Sequence, residues 1–151
     1  MVELFNLFHQ QHSDSGLVFV GKGPLEDEIK QKVSALGLNM CVYFCGQQDT
    51  VGEYYQAVDV FLFPSLYEGF GLSLLEAEVN GLRCICSTSI PEEPIITDYV
   101  EKLPIDSKSI QIWADHAITY ALSGRNNKEI DNFYNLMTQS VMLVDFYENI
   151  E

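Results

Sequence analysis

Short runs of unbroken apolarity recur along this chain, separated by helix-period segments, and that alternation limits its possible folds more than any other feature. The runs are LVFV (Leu17 to Val20), VYFC (Val42 to Cys45), VFLF (Val60 to Phe63) and CICS (Cys84 to Ser87), with a weaker fifth at VEKLPI (Val100 to Ile105). A strand that is apolar without interruption has both faces covered, which is the habit of parallel sheets. Helical patterns fill the gaps at about 2–12, 24–36, 50–58 and 71–80, each closed by a turn signal such as DSG or LGLN. Two longer helices, near 108–123 and 127–149 with SGRNN between them, complete the chain, and no linker divides it. The pattern predicts one α/β domain over residues 1–151, built on an open, mostly parallel sheet of the doubly wound kind with helices on both faces. Such sheets take ligands in the crevice beyond the carboxyl ends of their strands.

A chain of 151 residues can bury roughly 70% of the surface its unfolded form exposes, so a real core is expected. Its net charge of −14, from 22 acidic and 8 basic residues, repels phosphate backbones and anionic headgroups, which argues against nucleic acid or membrane as a direct partner. No apolar run approaches the roughly 20 residues of a membrane span. The opening MVELFNLFHQQHSDS lacks the basic flank and cleavage site of a signal peptide, so the expected location is the cytoplasm. The four cysteines, Cys41, Cys45, Cys84 and Cys86, stand in pairs at even spacing within apolar segments. Each pair is therefore expected to share a strand face as reduced core thiols, and the spacing is wrong for a structural zinc site.

Two glycine turns follow strands. The first, VGKGP (Val20 to Pro24), begins like a dinucleotide fingerprint, but Glu26 stands where the third glycine belongs and would face a pyrophosphate. It reads better as a tight strand-to-helix turn with Pro24 at the first helical position. The second lies in PSLYEGFGLSLLEAEVNG (Pro64 to Gly81), which runs from a strand through a loop into a helix. Gly69 and Gly71 let the backbone approach a ligand, and the amides from Phe70 to Ser73 begin the helix unpaired, a natural seat for a phosphate. Projected at 100° per residue, Leu72, Leu75, Val79 and Leu82 form one apolar stripe. Glu76 falls at its rim and Glu78 nearer its middle, so Glu78 is the odder residue, and a solvated helix glutamate remains an open reading of Glu76.

The wording FPSLYEGFGLSLLEAEVNGLRCICSTSIPEE, with Glu68 and Glu76 separated by seven residues, closely resembles the nucleotide-sugar motif of retaining GT-B glycosyltransferases of group 1, or family 4. The branch it looks like builds bacterial exopolysaccharide and capsule. LVFVGKGPLEDEI and VYFCGQQDTVGEYYQAVDVFLFPS extend the likeness over roughly Gly16 to Ile105. The resemblance implies the Rossmann-like, donor-binding C-terminal half of that fold and a nucleotide diphosphate sugar as donor, with no metal or other cofactor. Glu76 would accept hydrogen bonds from the ribose hydroxyls and Glu68, the candidate catalytic-site residue, would contact the transferred sugar. The amides of Gly69, Phe70, Gly71 and Leu72 would hold the diphosphate, and Gly46 with Gln47 would lie near the base. Glu93, or Glu92 in an equal register, would line the sugar pocket.

The acceptor-binding half of that family is missing from this chain, as is the donor half's opening strand with the arginine and lysine that neutralise the diphosphate; Lys22 does not replace them by position. Preorganised cations of that kind are worth several kcal/mol to a departing diphosphate. The chain alone is therefore expected to bind nucleotide weakly and to be inactive, while the full enzyme would work at the inner membrane face. Its reaction would move a hexosyl group with retention and without a protein nucleophile, since covalent transfer asks for two carboxylates about 5 Å apart. The competing readings are a non-catalytic Rossmann-like partner subunit and a dinucleotide-binding module. Among other residues, His9 and His12 fit a polar helix face, His116 and Trp113 fit packing, with Trp113 anchoring its helix to the sheet. Tyr54 and Tyr55 are expected to cover the sheet.

Overall fold

A computed structural model of the chain describes residues 1–125. The helix expected at 127–149 lies outside the described residues. The elements are α1 (Val2–Gln11), β1 (Leu17–Val20), α2 (Glu26–Ala35), β2 (Val42–Gly46), α3 (Gly52–Ala57), β3 (Val60–Phe63), α4 (Leu72–Val79), β4 (Arg83–Ser87), β5 (Val100–Leu103) and α5 (Ile110–Ser123). Every strand pair is parallel, as unbroken apolar runs require.

The strands form two hydrogen-bonded groups, β1-β2 and β3-β4-β5, where the sequence pattern implied one sheet. An apolar run reveals that a strand is covered, not which strand it bonds to, so the break had no signature in the pattern. Helix α1 spans the break with its side chains. Leu4 packs with Leu62, Ile85, Leu103 and Trp113, Val2 and Phe5 pack with Leu17, Phe19 and Val42, and Phe8 touches both clusters.

Alternation along the strands places helices on both faces of the larger sheet. Leu62 and Ile85 point to α1 and α5, while Phe61, Phe63, Cys84 and Cys86 point to α3 and α4. The smaller sheet is covered by α1 and α2, and Tyr43 on its other face stays 54% exposed. Cys84 and Cys86 share one buried face as expected. Cys41 precedes β2 and turns into the α1–α2 core, whereas Cys45 meets Tyr54 on the other side, because strand alternation does not extend to Cys41. All four thiols are free.

Several terminal contacts fix the frame. Trp113 is buried and donates from Nε1 to the Pro104 carbonyl at 2.9 Å, anchoring α5 to the strand end. His116 is no simple packing residue: its Nδ1 lies 2.6 Å from Glu101 Oε2, which also accepts from the Tyr120 hydroxyl at 2.8 Å. His9 bonds Ser15 at 3.0 Å, and His12 tilts over the Phe8 ring. The Arg125 guanidinium donates to the carbonyls of Tyr55, Val58 and Asn80 at 2.5, 2.7 and 3.1 Å. It thereby satisfies the orphan carbonyls where α3 and α4 both end. Helix α2 starts at Glu26 with Leu25 as its cap, so Pro24 stands ahead of the helix and not at its first position. Its first turn carries Glu26, Asp27 and Glu28, a set of charges that favours the helix and repels an anion.

Candidate functional site

The loop between β3 and α4 is built around Gly71, which caps the helix with φ 91° and ψ 46°. That left-handed conformation is open to glycine at little cost and turns the chain sharply into α4. A Cβ here would stand 3.6 Å from Pro94 and 3.7 Å from Phe63, ordinary contact distances, so the requirement is conformational and not steric. No side chain caps α4, and among the described residues the amides from Gly69 to Ser73 donate to no acceptor. The first helical bond runs from Leu74 N to Gly71 O at 2.9 Å. The result is a short row of unpaired N–H groups at the positive end of a helix dipole, the arrangement that receives anions.

The two carboxylates that flank this turn are held from their own sides. The Ser65 hydroxyl lies 2.9 Å from Glu68 Oε1 and 3.0 Å from the Tyr67 carbonyl, which sets the half-buried Glu68 against the loop. Glu76, one turn into α4, is exposed, and its Oε2 accepts from the Tyr55 hydroxyl at 3.0 Å. Burial, and then the hydrogen bond to the Glu76 carboxylate, pushes the Tyr55 phenol well up, so it remains a protonated donor. Around the loop, Leu66, Tyr67, Phe70 and Leu72 are exposed apolar side chains.

Gly46 closes β2 with φ 66° and accepts from Gly21 N at 2.7 Å; the Lys22 side chain passes within 3.7 Å of where a Cβ would sit. Gln47 is exposed beside it. No hydrogen bond joins Gly46 or Gln47 to Glu68 or Glu76 among the described residues; the hydroxyl that reaches Glu76 is that of Tyr55, on α3.

The predicted apolar stripe of α4 is displaced. The helix buries Leu74, Ala77 and Glu78, while Leu72 and Val79 are 63% and 48% exposed. Leucines lie on several sides of this helix, and the sheet selects the face. Glu78, the residue the pattern marked as odd, is 0% exposed and fully employed. Its Oε2 accepts from Thr97 Oγ1 at 2.5 Å, Thr97 N at 2.8 Å and Ile96 N at 3.1 Å. Burial raises its pKa, and the Thr97 and Ile96 donors pull it back. This carboxylate ties the 88–99 loop to the underside of α4, and Pro94 in that loop touches Gly71's side of the helix start. Within the same loop Glu92 is paired with Lys102 Nζ at 2.6 Å, whereas Glu93 has no hydrogen-bond partner among the described residues.

Sequence reasoning did not single out Tyr55 as a partner of Glu76, nor the partners of Glu78. The only signal for the latter was a charge in an apolar stripe. Among the described residues no group of three or more metal-ligating side chains occurs, and no helix is long and apolar enough to cross a membrane.

The profile of Glycosyl transferases group 1 matches residues 1–135. EpsF of Bacillus subtilis (strain 168), which bears the name of a glycosyltransferase, is 38% identical over 114 residues, 75% of this chain and 29% of its own length. The UDP-Gal:alpha-D-GlcNAc-diphosphoundecaprenol alpha-1,3-galactosyltransferase of Escherichia coli is 26% identical over 142 residues, 89% of this chain and 37% of its own. This chain thus spans about a third of the length of these two relatives. In fold it superposes on a mutant of S. aureus TarM, solved in complex with Fondaparinux, alpha-GlcNAc-glycerol and UDP, with a TM-score of 0.77 at 18% identity, covering 97% of this chain and 31% of that one. The pneumococcal O-GlcNAc transferase GtfA, solved in complex with UDP and GlcNAc, gives 0.65 at 18% identity, covering 97% and 28%. On its sequence match and on the GT-B type of fold it shares with these enzymes, the chain belongs to the group 1 glycosyltransferases.

Proposed function

We propose that the Pro64–Gly71 loop and α4 form the donor site of a retaining hexosyltransferase of polysaccharide biosynthesis, and that the ligand is a nucleotide diphosphate sugar. The observation that carries this reading is the left-handed Gly71 cap with its row of unpaired amides, followed one turn later by the exposed carboxylate of Glu76. In it the amides of Gly69, Phe70, Gly71 and Leu72 receive the diphosphate and Glu76 accepts from the ribose hydroxyls. Glu68 contacts the hydroxyls of the sugar, Glu93 extends that pocket, and Gly46 with Gln47 border the base. The hexosyl group leaves the diphosphate oxygen for an acceptor hydroxyl with retention at the anomeric carbon. The acceptor is held by a further domain, and catalysis requires that domain together with cations for the diphosphate. A dinucleotide site at the Gly21 turn is disfavoured by the acids in the first turn of α2.

The test is binding by the 151-residue chain. UDP, GDP or ADP at millimolar concentration should raise its melting temperature by mass action. Glu76→Gln should remove the gain, since a charge-assisted bond is worth about 1.5–3 kcal/mol. No shift with any of the three diphosphates would overturn the reading.

A further inference from the structure

Tyr55 is the one described side chain outside the β3–α4 segment whose hydroxyl reaches Glu76. Three separate restraints hold it there. Its ring stands edge-on to Phe61 with centroids 5.7 Å apart and packs in the cluster of Leu74, Ala77 and Leu82. Its carbonyl, and that of Val58, are held by the Arg125 guanidinium, which fixes the end of α3. Its hydroxyl has one proton and two acceptors, the Glu76 carboxylate at 3.0 Å and the Ser73 carbonyl at 3.2 Å. The charged acceptor is the nearer and the stronger. Glu76 Oε1 takes no hydrogen bond from the described residues, and the side chain is otherwise exposed on α4. A free glutamate of this kind samples several rotamers, and a ligand that needs one of them must bear the cost of ordering it.

We propose that Tyr55 is a positioning residue for the nucleotide: its hydroxyl preorganises the Glu76 carboxylate, committing Oε2 and presenting Oε1 to the vicinal ribose hydroxyls. The proposal deepens the donor-site reading of Glu76 and rests on it. A neutral donor suits this role, because it orders the carboxylate without cancelling the charge that makes it a strong acceptor for two hydroxyl groups. An arginine or lysine in the same place would pair with Glu76 and compete with the sugar.

The experiment compares the wild-type chain with Tyr55→Phe, Glu76→Gln and the double variant, using UDP and 2′,3′-dideoxyuridine diphosphate as calorimetric probes. Phenylalanine keeps the ring contacts with Phe61, and ligand-free thermal unfolding checks that each variant folds. Tyr55→Phe should weaken UDP about three- to tenfold, and the double variant should bind no worse than Glu76→Gln, because the hydroxyl acts through the carboxylate. The dideoxy probe, which lacks both hydroxyl groups, should bind wild type and Tyr55→Phe equally well; a merely structural effect would weaken both ligands alike. Additive losses, equal losses for the two probes, or no loss in Tyr55→Phe while Glu76→Gln is weakened would each overturn the proposal and leave the donor site standing. Unchanged UDP binding in Glu76→Gln, or no UDP binding by wild type, would overturn the donor site and the proposal with it.

Discussion

Replacing Glu78 separates what its carboxylate does as an acceptor from what it does as a charge. In Glu78→Ala three donors lose their partner together: the Ile96 amide, the Thr97 amide and the Thr97 hydroxyl. An unsatisfied buried donor costs about 1–3 kcal/mol, and these three are part-buried, so water entering the vacated space recovers some of it. The expected loss is about 3–4 kcal/mol. Glu78→Gln keeps an acceptor oxygen for the same donors and removes a charge that has no cation beside it, so its stability at pH 7 should stay within about 1 kcal/mol of wild type. The two differ in pH dependence as well. Burial lifts the folded carboxyl above its ordinary value near 4.5, so the native state holds this proton more tightly than the unfolded chain does. The associated stabilisation is complete below the unfolded value and is lost as pH rises through the folded one. Wild-type stability minus that of Glu78→Gln should therefore fall as pH increases from about 4.5 upward. Urea unfolding followed through the single, buried Trp113 measures both effects. Equal stabilities for the alanine and glutamine variants, or a difference that grows with pH, would refute the argument.

Gly71→Ala should cost about 1–2 kcal/mol in thermal unfolding, the strain of a left-handed residue without a clash, and should weaken diphosphate binding by shifting the amides. Arg125→Ala exposes three carbonyls at the ends of α3 and α4 and should lower stability by about 1–3 kcal/mol; Arg125→Lys, which lacks the fork, should restore only part of it in urea titrations. Burial pushes the Cys86 thiol up to about 11 and the Cys84 thiol well above its usual range. Iodoacetamide at pH 8 should accordingly modify Cys41 and Cys45 before either of them in the native protein, as read by peptide mass spectrometry.

Local pattern was enough for the elements themselves. LVFV and VFLF are strands at the bounds their apolarity gave, and the helix ends differ by one or two residues. The turn chemistry of Gly71 was also legible, because a glycine between a strand and a leucine-rich helix has few other uses. What escaped the sequence lies in contacts between distant residues. The buried face of α4 could not be chosen from leucines spread around most of the helix, so Leu72 and Val79 were assigned to a core they do not enter. Tyr55 does cover the sheet with its ring, but its hydroxyl finds Glu76 across 21 residues. Glu78 looked anomalous because its donors, at Ile96 and Thr97, belong to a loop that no periodicity describes. Glu76 itself gains its meaning from that same assembly of α3 against α4, not from its place on a helical wheel.

The division of the strands into two groups bears on how the molecule opens. No main-chain hydrogen bond among the described residues links positions 1–50 to positions 51–125. Among the described residues, cohesion across that boundary rests on side chains, chiefly Leu4, Leu7 and Phe8 of α1 packed against α5 and the larger sheet, with the contact between Tyr54 and Cys45 beside them. Cooperative units separated in this way exchange their amide protons independently. Among the described residues the β1–β2 pair is the more thinly covered, with Tyr43 54% exposed on the face away from α1 and α2. Exchange of the β1–β2 amides ahead of the rest is the expected outcome, with the β3–β5 group, which contains the whole Gly71–Glu76 turn, still protected.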